Sequence, residues 1–306
     1  MKTFRLATRA AAACFAAAGL TMAYGAVARP GTVNYAEGSV NLDGQAIGAK
    51  ALGSTEVGPG QVLQTAAGKA EMLLTPGVYL RLGDNSAVRM VSPSLLDTRV
   101  ELLRGEANLE VDLLAKENRL DVLDAGARIH IEKTGIYSLA ANPPLVAVYD
   151  GKAQVVEGDR SVELTKGREV AIQPNAALKA QKFDRGRQDP LYAWSKLRSQ
   201  YQADANAESA RMVVVNNYPG WWAGTGWYWN PWYGTWAFVP GAGYFANPWG
   251  FGFYSPAYIG VYGAPFYPGF HGRPVVVRGG MRAAVPAMGA MHAAAGGRVG
   301  FRGGRR

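Results

Sequence analysis

The chain has 306 residues, 48% of them hydrophobic, which is enough for a packed core and excludes disorder throughout. Glycine (39) and proline (17) fill 56 of the 306 positions, above average usage, so the excess has to be local. Three histidines and a single cysteine, Cys14, cannot build a cysteine-rich zinc site, an iron-sulfur cluster or a disulfide framework.

The first 28 residues carry Lys2, Arg5 and Arg9, then an uncharged run from Ala10 to Ala28, with no acid. That is the layout of a secretory signal peptide, and Ala26-Val27-Ala28 supplies small residues where a signal peptidase reads. Cleavage there starts the mature chain at Arg29 and places it in the periplasm or cell envelope. The rival is an uncleaved inner-membrane anchor, but ten of those 19 residues are alanine, which makes a weak span. Cys14 leaves with the leader, so the mature chain needs no oxidative folding.

The formal charge of +9 is unevenly spread. Residues 29–210 hold 21 Lys and Arg against all 23 acids, whereas residues 211–306 hold eight arginines, no lysine and no acid. Two different materials therefore meet near residue 210.

Residues 29–180 are expected to form an all-β domain, a sandwich or roll of short strands. Arg128–Glu132, Tyr79–Leu82 and Ala107–Val111 alternate polar and apolar residues with the two-residue period of a half-buried strand. Leu145–Tyr149, Asp150-Gly151 and Lys152–Val156 predict a hairpin, because Asp-Gly accepts the positive φ angles of a type I′ turn. Pro76-Gly77, Asp84-Asn85, Arg104-Gly105, Gly158-Asp159 and Lys166-Gly167 mark further turns.

A linker and one helix follow over residues 181–211. Asp189 suits its cap and Pro190 its first turn, after which Leu191, Trp194, Leu197 or Arg198, and Tyr201 recur at helical spacing. This narrow apolar stripe predicts a helix that packs on the β domain.

Residues 212–272 contain no charged side chain, yet hold seven of the eight tryptophans. Asn230-Pro231 and Asn247-Pro248, each followed by Trp, suggest an imperfect 17-residue repeat. Three readings fit this aromatic, Gly/Pro-rich segment: a hairpin cap on the β domain, a surface for self-association or an envelope partner, or a platform stacking on sugar rings. Sugar hydroxyls would need amides, of which only Asn216, Asn217, Asn230 and Asn247 are at hand. Trp221, Trp222, Trp227, Trp229, Trp232, Trp236 and Trp249 form the candidate interaction surface. Residues 273–306 are a Gly/Ala/Arg-rich tail expected to be flexible, suited to anionic lipid or polysaccharide; nucleic acid is an unsuitable partner for an exported chain. Deleting residues 212–306 is expected to abolish envelope retention and leave the β domain folded.

The stretches GTVNYAEGSVNLDGQAIG, VGPGQVLQTAAGKAEMLLTPGVYLRLGDNSAVRMVS, VELLRGEANLEV and VAVYDGKAQVVEGDRSVELTKGREVAI together resemble the FecR domain over about residues 31–174. The resemblance implies an all-β module working outside the cytoplasmic membrane, which in its best-known members senses an occupied outer-membrane transporter and signals to a sigma factor. Those regulators carry a cytoplasmic segment of many tens of residues before their membrane span, whereas nine residues precede the apolar run here. DPLYAWSKLRSQY followed by a Trp-rich extension is similar to a group of exported proteins carrying this domain.

Candidates for catalysis are few. His130 sits in an ordinary strand pattern, and Glu106 with Glu110, or Asp121 with Asp124, are paired carboxylates expected to be solvated rather than catalytic. Gly58-Pro59-Gly60 lacks the Lys-Ser or Lys-Thr that a phosphate loop needs. The expectation is a non-enzymatic binding module of the envelope without cofactor or metal.

Overall fold

The computed structural model describes residues 28–173, 176–186, 188–215 and 225–262. Residues 1–27 of the expected leader, Trp221 and Trp222, Asn216 and Asn217, and the basic tail lie outside these residues.

Strands β1 (Val33–Leu42), β2 (Gln45–Ala46), β3 (Val62–Leu73), β4 (Val78–Leu82) and β5 (Ala87–Ser94) come first. Next are β6 (Asp97–Arg104), β7 (Glu106–Val111), β8 (Arg119–Asp124), β9 (Ala127–Ile131) and β10 (Gly135–Ala141). The run ends with β11 (Pro144–Asp150), β12 (Lys152–Glu157), β13 (Arg160–Thr165), β14 (Arg168–Ala171) and β15 (Gln181–Lys182). They form one 15-stranded sheet in the order β13-β12-β9-β8-β6-β5-β3-β4-β7-β10-β11-β14-β15, with β1 beside β3 and β2 beside β1. All pairings are antiparallel except β6 with β8.

Strand β3 joins the two halves of this sheet, since Val62–Gln64 pair with β5 while Ala70–Leu73 pair with β4. The halves close on one another around a single apolar core. Val88, Val100, Val122, Ile129 and Val155 come from one half, and Leu80, Leu109, Leu139 and Val148 from the other. The expected all-β class is therefore correct, with one main helix added.

The predicted hairpin at Asp150-Gly151 does not form. Strand β11 pairs with β10 and β14, and β12 pairs with β9 and β13, so the chain crosses here from one half of the sheet to the other. Gly151 has φ of +100°, and a side chain there would run into the Tyr137 hydroxyl and the Thr134 carbonyl, so glycine serves a tight crossing rather than a turn. Positive φ angles at both central residues, the condition for a type I′ turn, occur instead at Asp43-Gly44 between β1 and β2 and at Ala125-Gly126 between β8 and β9.

Helix α1 (Pro190–Val215) extends four residues past the expected end. Asp189 caps it, accepting the Tyr192 amide at 2.6 Å. The buried face differs from the predicted stripe: Leu191, Ser195, Arg198, Ser199, Gln202, Asn206, Ser209 and Val213 point inward, while Leu197 and Tyr201 are exposed. The period is helical, but half of the buried residues are polar and four of the others are alanine, a face that hydrophobic periodicity registers poorly.

The aromatic segment folds as two short hairpins and a helix. Strands β16 (Gly226–Asn230) and β17 (Thr235–Val239) pair, as do β18 (Tyr244–Ala246) and β19 (Gly252–Tyr254), and α2 (Pro256–Tyr262) follows. Trp227, Trp236, Phe238 and Phe253 form a second apolar cluster with Leu73 and Tyr79 of the sheet and Ala203 of α1. The segment thus packs on the sheet and α1, the arrangement of the hairpin-cap reading.

Candidate functional site

On the outward side of β3, β4 and β7 the alternation places Glu71, Arg81, Glu110 and Asn108 on one face, with Glu71 opposite Arg81 and Arg81 opposite Asn108. Without cover this face would be solvated. Helix α1 and the two hairpins lie over it, so Glu71, Arg81 and Glu110 are essentially inaccessible. The prediction that Glu110 is solvated fails for that reason; Glu106, at the open end of the same strand, remains exposed.

Burying these charges is tolerable only with full pairing. Arg81 donates from Nε to Glu71 at 2.8 Å and from Nη1 to Glu110. The other Glu71 oxygen accepts from Arg198, Gln202 and Asn34, each at 3.0 Å. Glu110 accepts from Ser199 at 2.6 Å and from Asn247 at 2.8 Å. Burial would raise the Glu71 carboxyl, but the guanidiniums of Arg198 and Arg81 outweigh it and hold the group at about 2. Asp112 shows the opposite balance: burial, then the negative charge of Glu110, pushes it well above its ordinary value.

The 17-residue repeat is structural. Asn230 and Asn247 each sit buried in a hairpin turn and use both ends of the amide in the same way. The Oδ1 of Asn230 accepts from the Trp232 and Tyr233 amides, and that of Asn247 from the Trp249 and Phe251 amides. Their Nδ2 groups point inward: Asn230 to the Ala205 carbonyl and the Ser209 hydroxyl, Asn247 to Glu110 and Ser199. Asn206 of α1 joins the two hairpins, donating to the carbonyls of Phe238 and Tyr254 and accepting the Tyr254 amide. With Asn230 and Asn247 occupied inside the fold, no amide among the described residues remains of those the sugar-stacking reading required.

The tryptophans divide accordingly. Trp227 and Trp236 are core residues, at 6% and 7% exposure, and offer no outward face. The Trp236 indole donates to the Gly53 carbonyl at 2.7 Å, and the Trp229 ring lies so close that a side chain at Gly53 would strike it. Trp249 is half-buried against Tyr192, with ring centroids 4.7 Å apart. Trp229 is 42% exposed and Trp232 79% exposed, beside the exposed Tyr233 at the tip of the β16–β17 hairpin. The turn that displays Trp232 is the one fastened from beneath by Asn230.

The remaining candidates lie elsewhere. Asp121 and Asp124 are buried, not solvated, in β8, and burial raises Asp124 to about 6. His130, half-exposed on β9, bonds Asp121 through Nδ1 at 2.7 Å. Among the described residues no three His, Cys, Asp or Glu side chains gather to hold a metal, and no helix is long and apolar enough to cross a membrane. Sequence reasoning named Glu110 and Arg198 but did not bring them together with Glu71 and Arg81; the signal available was Arg81, the one charged residue in the otherwise apolar strand Val78–Leu82.

No family model matches the chain, and no curated protein matches it in sequence. Two crystal structures of a "putative anti-sigma factor" from Parabacteroides distasonis are similar to it at 17% and 16% identity, each with a TM-score of 0.38. The match covers 44% of this chain and 64% of theirs, so the chain spans less than two thirds of the solved proteins.

Proposed function

We propose that the protein is an exported, non-catalytic FecR-type module of the cell envelope that works by contact, through the aromatic hairpin tip at Trp229, Trp232 and Tyr233. The carrying observation is Trp232: a large aromatic side chain, 79% exposed, on a turn whose backbone is bonded by a buried asparagine. A pre-ordered aromatic anchor loses little conformational entropy on binding, which is why Trp and Tyr dominate binding hot spots. The groups suited to acid–base work, Glu71, Glu110, Arg81 and Arg198, are instead engaged in fastening this cap, which supports a non-enzymatic reading.

Export rests on the N-terminal leader. The partner is an envelope protein or a second copy of the chain, and the basic tail adds attraction to anionic lipid or polysaccharide.

The test compares binding of the mature protein and its Trp229→Ser/Trp232→Ser variant to isolated envelopes. Loss of retention with an unchanged melting temperature supports the proposal; equal retention overturns it. Intact mass decides the leader: a chain beginning at Arg29 supports export with cleavage, and one beginning at Met1 supports an anchored sensor.

A further inference from the structure

We propose that the outer face of strands β8, β9 and β12, in the half of the sheet away from the aromatic cap, carries a binding site for a phosphate group, centred on His130 and Arg128. The site does not depend on the aromatic tip.

Cross-strand register brings its parts together. Asp121 lies opposite His130, and His130 opposite Gln154, so the three share one face across three strands. Arg128, two residues before His130, and Arg119, two before Asp121, fall on that same face. Lys116 approaches from the loop before β8. With Asn118 these side chains line an open cavity of about 340 Å³, room for a phosphoryl group and part of the molecule that bears it.

The arrangement is built from beneath. Asp121 is fully buried and spends its two oxygens on two neighbours, Oδ1 on His130 Nδ1 at 2.7 Å and Oδ2 on Arg119 Nε at 2.9 Å. A carboxylate that holds Nδ1 leaves Nε2 as the imidazole nitrogen available to a ligand, and a carboxylate on Nε leaves the terminal guanidinium nitrogens of Arg119 free to donate. Nε2 then either accepts from a protonated phosphate oxygen or, when the ring is charged, donates to a bare one. Among the described residues Arg128 and Lys116 have no ion-pair partner, and Arg128 is nonetheless half-buried. Elsewhere on this face the cations are matched, Arg89 with Glu101 and Lys152 with Glu132 and Glu163. The charge imbalance is therefore confined to this cavity, where three permanent cations meet Glu117 on the rim and Asp121 below. Donors converging from a loop and three strands suit a tetrahedral polyoxyanion better than a planar carboxylate, and guanidinium forks are the preferred partners of phosphate.

The phosphate has two natural sources outside a membrane, a lipid headgroup or a phosphorylated polymer or solute. The full mature chain is titrated with inorganic phosphate, with a glycerol-phosphate polymer, and with phosphatidylcholine vesicles containing or lacking phosphatidic acid, following the imidazole C–H resonances of His130. The expected result is a saturable shift of His130 with inorganic phosphate, weakened about tenfold or more in Arg128→Gln, and a phosphate affinity by titration calorimetry weakened to the same degree in His130→Gln, both at unchanged melting temperature. Vesicle binding that depends on phosphatidic acid and is lost in Arg128→Gln assigns the lipid source; binding of the polymer but not the vesicles assigns the other. No saturable shift with any of the probes, or binding that both variants leave unchanged, overturns the site.

Discussion

The side chain of Asn34, at the start of β1, pairs with the backbone of Trp236, 202 residues later: Nδ2 donates to the Trp236 carbonyl at 3.2 Å, and Oδ1 accepts the Trp236 amide at 2.8 Å. The same Nδ2 reaches Glu71. One buried amide thus joins the first strand, the charged cluster and the aromatic hairpin. Replacing Asn34 by alanine removes three bonds and leaves buried partners unmatched, which should cost about 2–3 kcal/mol. Denaturant titration of the variant, followed by tryptophan fluorescence, checks this; a cost below about 0.5 kcal/mol would show that the hairpin is not held this way.

Glu71 supports the cap from below. Glu71→Leu strands Arg81 and Arg198 as buried charges with one carboxylate between them, and should destabilise the protein by about 3–5 kcal/mol. Adding Arg198→Met should restore part of that loss, because one of the stranded charges is removed. The double-mutant cycle should show a coupling of about 1 kcal/mol or more, and simple additivity would contradict the pairing.

Two carboxyl groups give stability opposite dependences on pH. The Glu71 value of about 2 lies below its unfolded value of 4.5, so its contribution, about 3 kcal/mol, is complete above the unfolded value and is lost as pH falls through about 2. Asp124 stands at about 6, above its ordinary 3.8, so the folded state binds its proton more tightly and stability falls as pH rises between those values. Asp124→Asn should therefore gain about 2 kcal/mol at neutral pH and nothing below the ordinary value. A gain of equal size at both pH extremes would mean that the carboxyl charge is not the cause.

The all-β class was legible because alternation survives wherever one sheet face is apolar: Ile129 and Ile131 against Arg128 and His130 is a pattern that only a strand explains. Position of the cap was not legible. Its seat is built from Glu71, Arg81, Ser195, Ser199, Gln202 and Asn206, residue types that signal solvent in any pattern of hydrophobicity, and their burial depends on partners up to 131 residues away. The Asp150-Gly151 misreading has a related origin. Two-residue turns and crossings between sheet halves both need positive φ, and local sequence does not say which strand the chain will meet next.

Truncation measures how far the cap is part of the domain. A chain ending at Val215 keeps all fifteen strands of the sheet and α1 but bares Leu73 and Tyr79 and strips Asn247 from Glu110. We expect loss of cooperative unfolding or a drop of several kcal/mol, about 4 or more, from the exposed apolar cluster alone. A truncated protein as stable as the full chain would make the aromatic segment an appendage.

The most direct test of function by contact uses 5-fluorotryptophan and fluorine NMR, with each resonance assigned by single substitution. On adding isolated envelope, the Trp232 resonance should broaden or shift while those of the buried Trp227 and Trp236 stay in place. An unmoved Trp232 beside an envelope that retains the protein would contradict the account, as would equal perturbation of all three.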